Sequence, residues 1–313
     1  MHASTVLTRA LSLLCLVALL APGCTSRGTG PRLRDGGEDG TDSGTSLVDA
    51  GPRPDTGLPP FMDCTEAARW IYLVDSGRAL LRYEPDSGTL TPIGTVSCTS
   101  GATPFSMAVD RQANAYVLHQ DHRIYRVSTV DASCTASSFV PDQLGFELFG
   151  MGFVSDAEGS DRETLFIAGG PEAGIGSGSS VLGSIDTSTW TVSRIGNVGG
   201  SPELTGTGTA QLWGFFPDSM PMSVRQIDKG TGATLREIDV SEIDSFGLGG
   251  GAQAWAFAFW GGRYYIFYQG ILDDTTGIYR VTPDTGVVET VRTNIGFRIV
   301  GAGVSTCAPT ILI

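Results

Sequence analysis

The chain has 313 residues, 41% hydrophobic, 9% aromatic and 17% charged, with 43 glycines and 16 prolines. That composition supplies a sizeable apolar core and excludes a wholly disordered chain, a coiled coil and a collagen-like repeat. The net charge of −13, with Lys229 the single lysine, argues against a nucleic-acid partner and against docking on anionic lipid through a basic patch.

Met1 to Arg9 reads as a short basic leader, and residues 10–21 (ALSLLCLVALLA) as its apolar run. A membrane-spanning helix needs about 20 apolar residues, so this run is the core of an export signal and not an anchor. The next residues, Ala21-Pro22-Gly23-Cys24, resemble the lipobox of bacterial lipoproteins, with Ala21 and Pro22 where that family favours Leu and then Ala or Ser. The resemblance implies that residues 1–23 are removed and that Cys24 carries a lipid anchor. Thr25, in place of Asp, implies sorting to the outer membrane, facing the periplasm or the surface. Residues 24–60 are rich in Gly, Pro, Ser, Thr and Asp, a composition that cannot bury enough surface to offset its ordering entropy. We read them as a disordered tether. Asp35, Glu38, Asp39 and Asp42 lie within it without the spacing of a calcium loop.

From Phe61 to Ile313 the pattern is all-β: short apolar runs such as 70–74, 114–118, 164–168 and 263–268 alternate with turn residues. One unit recurs, a strand, an Asp/Gly turn and a second strand. Residues 80–93 (LLRYEPDSGTLTPI) and 278–291 (IYRVTPDTGVVETV) are its clearest copies, and 124–131, 182–187 and 224–232 are degenerate ones. Equivalent positions are Arg82, Arg126, Ser184, Gln226 and Arg280. A repeat of about 50 residues built from four strands is a propeller blade. Strands rich in small residues precede the hairpins, at 105–110, 149–154, 203–208 and 253–258, and a fifth lies at 298–304. The first hairpin has no such strand before it and the last strand has no hairpin after it. We therefore expect the C-terminal strand to join blade 1 and close a single five-bladed β-propeller.

Ser106-Met-Ala-Val-Asp110, Phe149-Gly-Met-Gly-Phe153, Glu203-Leu-Thr-Gly-Thr-Gly208 and Gly301-Ala-Gly-Val-Ser-Thr-Cys307 resemble propellers of the NHL and gluconolactonase-like kind. They resemble more closely the uncharacterised propeller lipoproteins of myxobacterial type, across residues 61–309. The resemblance implies fold and compartment and brings no known activity with it.

Cys15 belongs to the signal and Cys24 to the lipid site. Cys64, Cys98, Cys134 and Cys307 remain, and an even number in an exported chain reads as disulfides. Three pairings are open. Ring topology favours Cys64–Cys307 at the seam and Cys98–Cys134 between blades 1 and 2.

No catalytic motif stands out. His2 lies in the signal, and His119 and His122 are read as exposed residues of a hairpin turn and not as a metal pair. Residues 174–178 and 247–251 are glycine loops without the strand–loop–helix context of a phosphate site. In Ala254-Trp-Ala-Phe-Ala-Phe-Trp260, the alternation favours packing between blades over stacking on sugars. Asp273-Asp274 is read as a solvated turn. Glu147, Glu203, Thr205, Gln253 and Arg298, near the starts of inner strands, are the candidate ring around the channel mouth. No cofactor is assigned, with Ca2+ the one ion considered. The expected protein is a monomeric envelope lipoprotein that binds a protein or glycan partner without catalysis. The alternative is a metal-dependent hydrolase or lactonase using a carboxylate such as Glu203.

Overall fold

The five hairpin turns read from the sequence share one geometry. In each, the backbone N–H of the fifth residue donates to the carbonyl of the first: Gly88 to Glu84, Ala132 to Ser128, Trp190 to Asp186, Gly232 to Asp228 and Gly286 to Thr282. All five donors have positive φ, between 59° at Trp190 and 80° at Gly232. Glycine adopts that conformation without a Cβ penalty. Ala132 and Trp190 pay it, at roughly 1–2 kcal/mol each. Trp190 offsets its strain by packing its ring on Tyr116 and Phe139.

The computed structural model describes residues 64–171, 180–244 and 251–311. The leader, Cys24, the tether and residues 174–178 and 247–250 lie outside them. In chain order the strands are β1 (Ile71–Asp75), β2 (Ala79–Glu84), β3 (Thr89–Thr95), β4 (Pro104–Val109), β5 (Asn114–His119), β6 (Ile124–Ser128) and β7 (Cys134–Ala136). There follow β8 (Leu148–Ser155), β9 (Glu163–Gly170), β10 (Val181–Asp186), β11 (Thr191–Asn197), β12 (Glu203–Gly206), β13 (Leu212–Phe216), β14 (Ser223–Ile227) and β15 (Thr234–Asp239). The last are β16 (Ala252–Trp260), β17 (Arg263–Gly270), β18 (Gly277–Val281), β19 (Val288–Arg292) and β20 (Ile299–Val304). They form five 4-stranded sheets, and the sheet of blade 1 has the order β20-β1-β2-β3. The C-terminal strand thus supplies the inner strand of blade 1, with Ile71 opposite Val304 and Leu73 opposite Ala302.

Each seam between neighbouring blades holds its own apolar cluster. Strand alternation explains this. On β1, Ile71 and Leu73 face the blade 5 seam, whereas Tyr72 and Val74 face the blade 2 seam. The inner strands are small because five of them crowd one axis. A Cβ on Gly150 would lie 2.2 Å from the Pro202 carbonyl oxygen, and one on Gly206 would lie 2.1 Å from that of Phe153. Neither position between β8 and β12 has room for a side chain.

Both disulfides form as expected. Cys64–Cys307 spans 243 residues and Cys98–Cys134 spans 36. Among the described residues, no helix is long and apolar enough to cross a membrane.

Candidate functional site

Inner strands of a propeller run in one direction, so their first residues gather at one end of the channel and their last residues at the other. The first end is open. A cavity of about 300 Å³ is lined there by Phe105, Glu203, Gln253, Trp255 and Arg298, with Ser76, Thr103 and Gln120 from the surrounding turns. A recess of about 30 Å³ shares Phe105, Glu203 and Trp255.

Glu203 starts β12 and is 4% exposed. The Ser106 hydroxyl donates to its Oε2 at 2.9 Å, and the Met151 backbone N–H donates to the carboxyl as well. Burial outweighs both bonds and pushes the carboxyl well above its ordinary value. Arg298 precedes β20 and is exposed. Its Nη2 donates to the Gln253 carbonyl at 2.5 Å, which lays the guanidinium across the seam between blades 1 and 5. It makes no ion pair among the described residues. Trp255 and Phe105 are half-buried and form apolar walls.

The opposite end is sealed. The segment after β20 turns across it, and Ser305 to Pro309 are all buried. The Thr306 hydroxyl donates to Glu163 Oε2 on blade 3 at 2.7 Å, and Gly261 of blade 5 donates to the Pro309 carbonyl at 2.7 Å. Glu163 Oε1 accepts from the Arg111 backbone N–H at 2.9 Å, while Arg111 Nη1 donates to the Ser160 carbonyl at 2.8 Å. Burial, aided by the Asp110 charge, raises Glu163 to about 7 against the pull of the Thr306 and Arg111 bonds.

The structure thus brings Glu203, Gln253 and Arg298 into one cavity and leaves two expected members outside it. Glu147 precedes β8, half-buried and away from the cavity lining. Thr205 lies two residues deeper than Glu203, where its Oγ1 accepts from the Phe259 N–H at 3.1 Å and ties blade 4 to blade 5. Trp255 is the lining residue that sequence reasoning set aside, and Phe105 is one it read only as the start of an inner strand. Phe257 and Phe259 pack between blades 4 and 5 as the alternation implies. Trp255 has the same parity but sits two residues nearer the mouth, where the seam opens.

The histidines also need a correction. His119 is not an exposed turn residue: it ends β5 and is 0% exposed. Its Nδ1 lies 3.0 Å from the Ala102 carbonyl and its Nε2 3.7 Å from Cys98 Sγ, because the Cys98–Cys134 bond pulls the β3–β4 connection over it. Burial lowers its pKa, so the ring is neutral, with Nδ1–H donating to Ala102. His122 lies in the turn, with Nδ1 2.8 Å from Asp142 Oδ1. Neither ring lines the cavity. Asp273 closes its own loop, its Oδ2 accepting from the Gly270 N–H at 2.7 Å. Among the described residues no group of three or more His, Cys, Asp and Glu side chains is placed to hold a metal ion.

No protein-family model matches the chain, and no curated protein matches it. Solved structures do. The chain is similar to one in the crystal structure of a nidogen/laminin complex, at 10% identity and a TM-score of 0.46, over 75% of this chain and 97% of that one. It is similar to TolB from Acinetobacter baumannii at 14% identity and a TM-score of 0.44, over 76% of this chain and 55% of TolB. It therefore spans about half the length of TolB. A protein of unknown function from Bacteroides caccae is similar at 12% identity and a TM-score of 0.41, over 75% of this chain and 97% of that one.

Proposed function

We propose that the chain is an exported, lipid-anchored envelope protein whose propeller is a non-enzymatic binding platform for a glycan or protein partner. The observation that carries the reading is the open cavity of about 300 Å³, with two aromatic walls and convergent polar groups. Ser76 and Thr103 line it without a histidine beside them, so no nucleophile–base pair is assembled. Among the described residues Glu203 is the one carboxylate of its lining, and a metal-dependent hydrolase of the gluconolactonase-like kind needs more than one such ligand around its ion. Kinship with that kind of propeller, and with myxobacterial-type lipoproteins, rests on the inner-strand residues quoted above.

Two disulfides support an oxidising compartment. The lipobox-like run ending at Cys24 supports the anchor. The described chain enters the propeller at the sealed end, where Cys64 meets Cys307. Two experiments test the reading. Cys24→Ser should move the protein from the detergent phase to the soluble fraction, and a wild-type protein that carries no acyl group contradicts the anchor. Immobilised wild-type protein should retain an envelope glycan or protein fraction that Trp255→Ala does not, and equal retention by both contradicts the site.

A further inference from the structure

Among the described residues, the ionisable side chains that line the cavity are Glu203 and Arg298. Glu203 is buried and hydrogen-bonded to Ser106, and its burial disfavours the charged carboxylate. Arg298 offers the cavity the guanidinium donors that Gln253 does not use. Arg298 thus gives the mouth a cationic group in a chain with a net charge of −13.

Size and shape narrow the ligand further. A closed cavity of about 150 Å³ takes one benzene, so the volume here suits a body of roughly a dozen non-hydrogen atoms. Trp255 and Phe105 offer flat apolar faces to such a body, and Gln120, Gln253 and Thr103 offer amide and hydroxyl partners for hydroxyl groups.

We propose that the mouth binds a ring carboxylate of hexuronic-acid size, its carboxylate on the Arg298 guanidinium and its flat face on Trp255. The proposal rests on the binding-platform reading and makes the partner an acidic glycan. An arginine fork meets a carboxylate with two parallel hydrogen bonds, which a neutral sugar cannot reproduce.

The test is titration of the whole propeller with glucuronate, glucose and benzoate, followed by calorimetry and tryptophan fluorescence. Glucuronate should bind about tenfold more tightly than glucose. Arg298→Gln should abolish that preference, Arg298→Lys should restore part of it, and Trp255→Ala should weaken both sugars. Each variant is first shown to keep the wild-type melting temperature, and Arg298→Lys covers the case in which Arg298→Gln does not fold. Binding of benzoate without glucuronate overturns the acidic-glycan assignment. Equal affinity for glucose and glucuronate overturns the charge selection and leaves the glycan reading standing. No binding of any of the three overturns the inference, and retention of envelope fractions then decides the parent reading separately.

Discussion

The two ends of the channel are built from the same five strands and differ in what their polar groups face. At the sealed end, Glu163, Thr306, Arg111 and the Pro309 carbonyl bond to one another or to neighbouring backbone. At the open end, Arg298 uses one donor on Gln253 and lines the cavity beside Trp255 and the buried Glu203. The difference separates two uses of polarity in one fold. Groups satisfied internally hold the ring, and groups satisfied only in part, around a cavity, are available to a ligand.

The largest expected effect comes from breaking the sealed end. Deleting residues 298–313 removes the inner strand of blade 1 and Cys307 together. The described domain should then lose its cooperative melting transition, and a truncated protein that melts like wild type contradicts the shared blade. Cys307→Ser alone opens a loop of 243 residues, worth at most about 5 kcal/mol on the chain-entropy model. Cys98→Ser opens one of 36 residues, worth at most about 4 kcal/mol. Denaturant titration should rank them in that order. Cys98 and Cys134 are half-buried while Cys307 is 0% exposed, so mild reductant should open Cys98–Cys134 first.

A smaller effect is pH-dependent. Glu163 has a folded-state pKa raised from 4.5 to about 7, so between those values the folded state keeps a proton that the unfolded chain has released. Stability is therefore greatest below the lower value and falls as pH rises through the upper one. Glu163→Gln mimics the protonated acid: its Oε1 accepts from Arg111 and its amide donates to Thr306. The variant should flatten part of the fall in melting temperature between about pH 5 and 8. Glu203 is shifted in the same direction, and Glu203→Gln should remove a further part. An unchanged profile in both variants contradicts the assignment.

The ring was legible because its turns repeat. Pro-Asp-Ser-Gly and Pro-Asp-Thr-Gly mark two blades outright, and the other three keep the position of the left-handed residue even where it is Ala132 or Trp190. The unmatched strand at 298–304 then dictated closure, and closure dictated the disulfides. The site was legible only in part. Glu203, Gln253 and Arg298 follow from lying at inner-strand starts. Thr205 shares the face of Glu203 but is too deep, a distinction of two residues along one strand that composition cannot make. Trp255 could not be told from Phe257, because both alternate with alanine and only the neighbouring blade decides where the seam ends. His119 was misread because its cover comes from a disulfide far away in the chain. Glu163 carries no local signal, since its partners Arg111 and Thr306 meet it only across the closed ring.

One double dissociation tests the difference between the two ends most directly. Trp255→Ala at the open end and Thr306→Ala at the sealed end are compared for melting temperature and for retention of an envelope glycan fraction at a temperature where both are folded. Trp255→Ala should lose retention and keep the wild-type melting temperature, whereas Thr306→Ala should lower the melting temperature and keep retention. Loss of retention in Thr306→Ala with full retention in Trp255→Ala would contradict the assignment of binding to the open mouth.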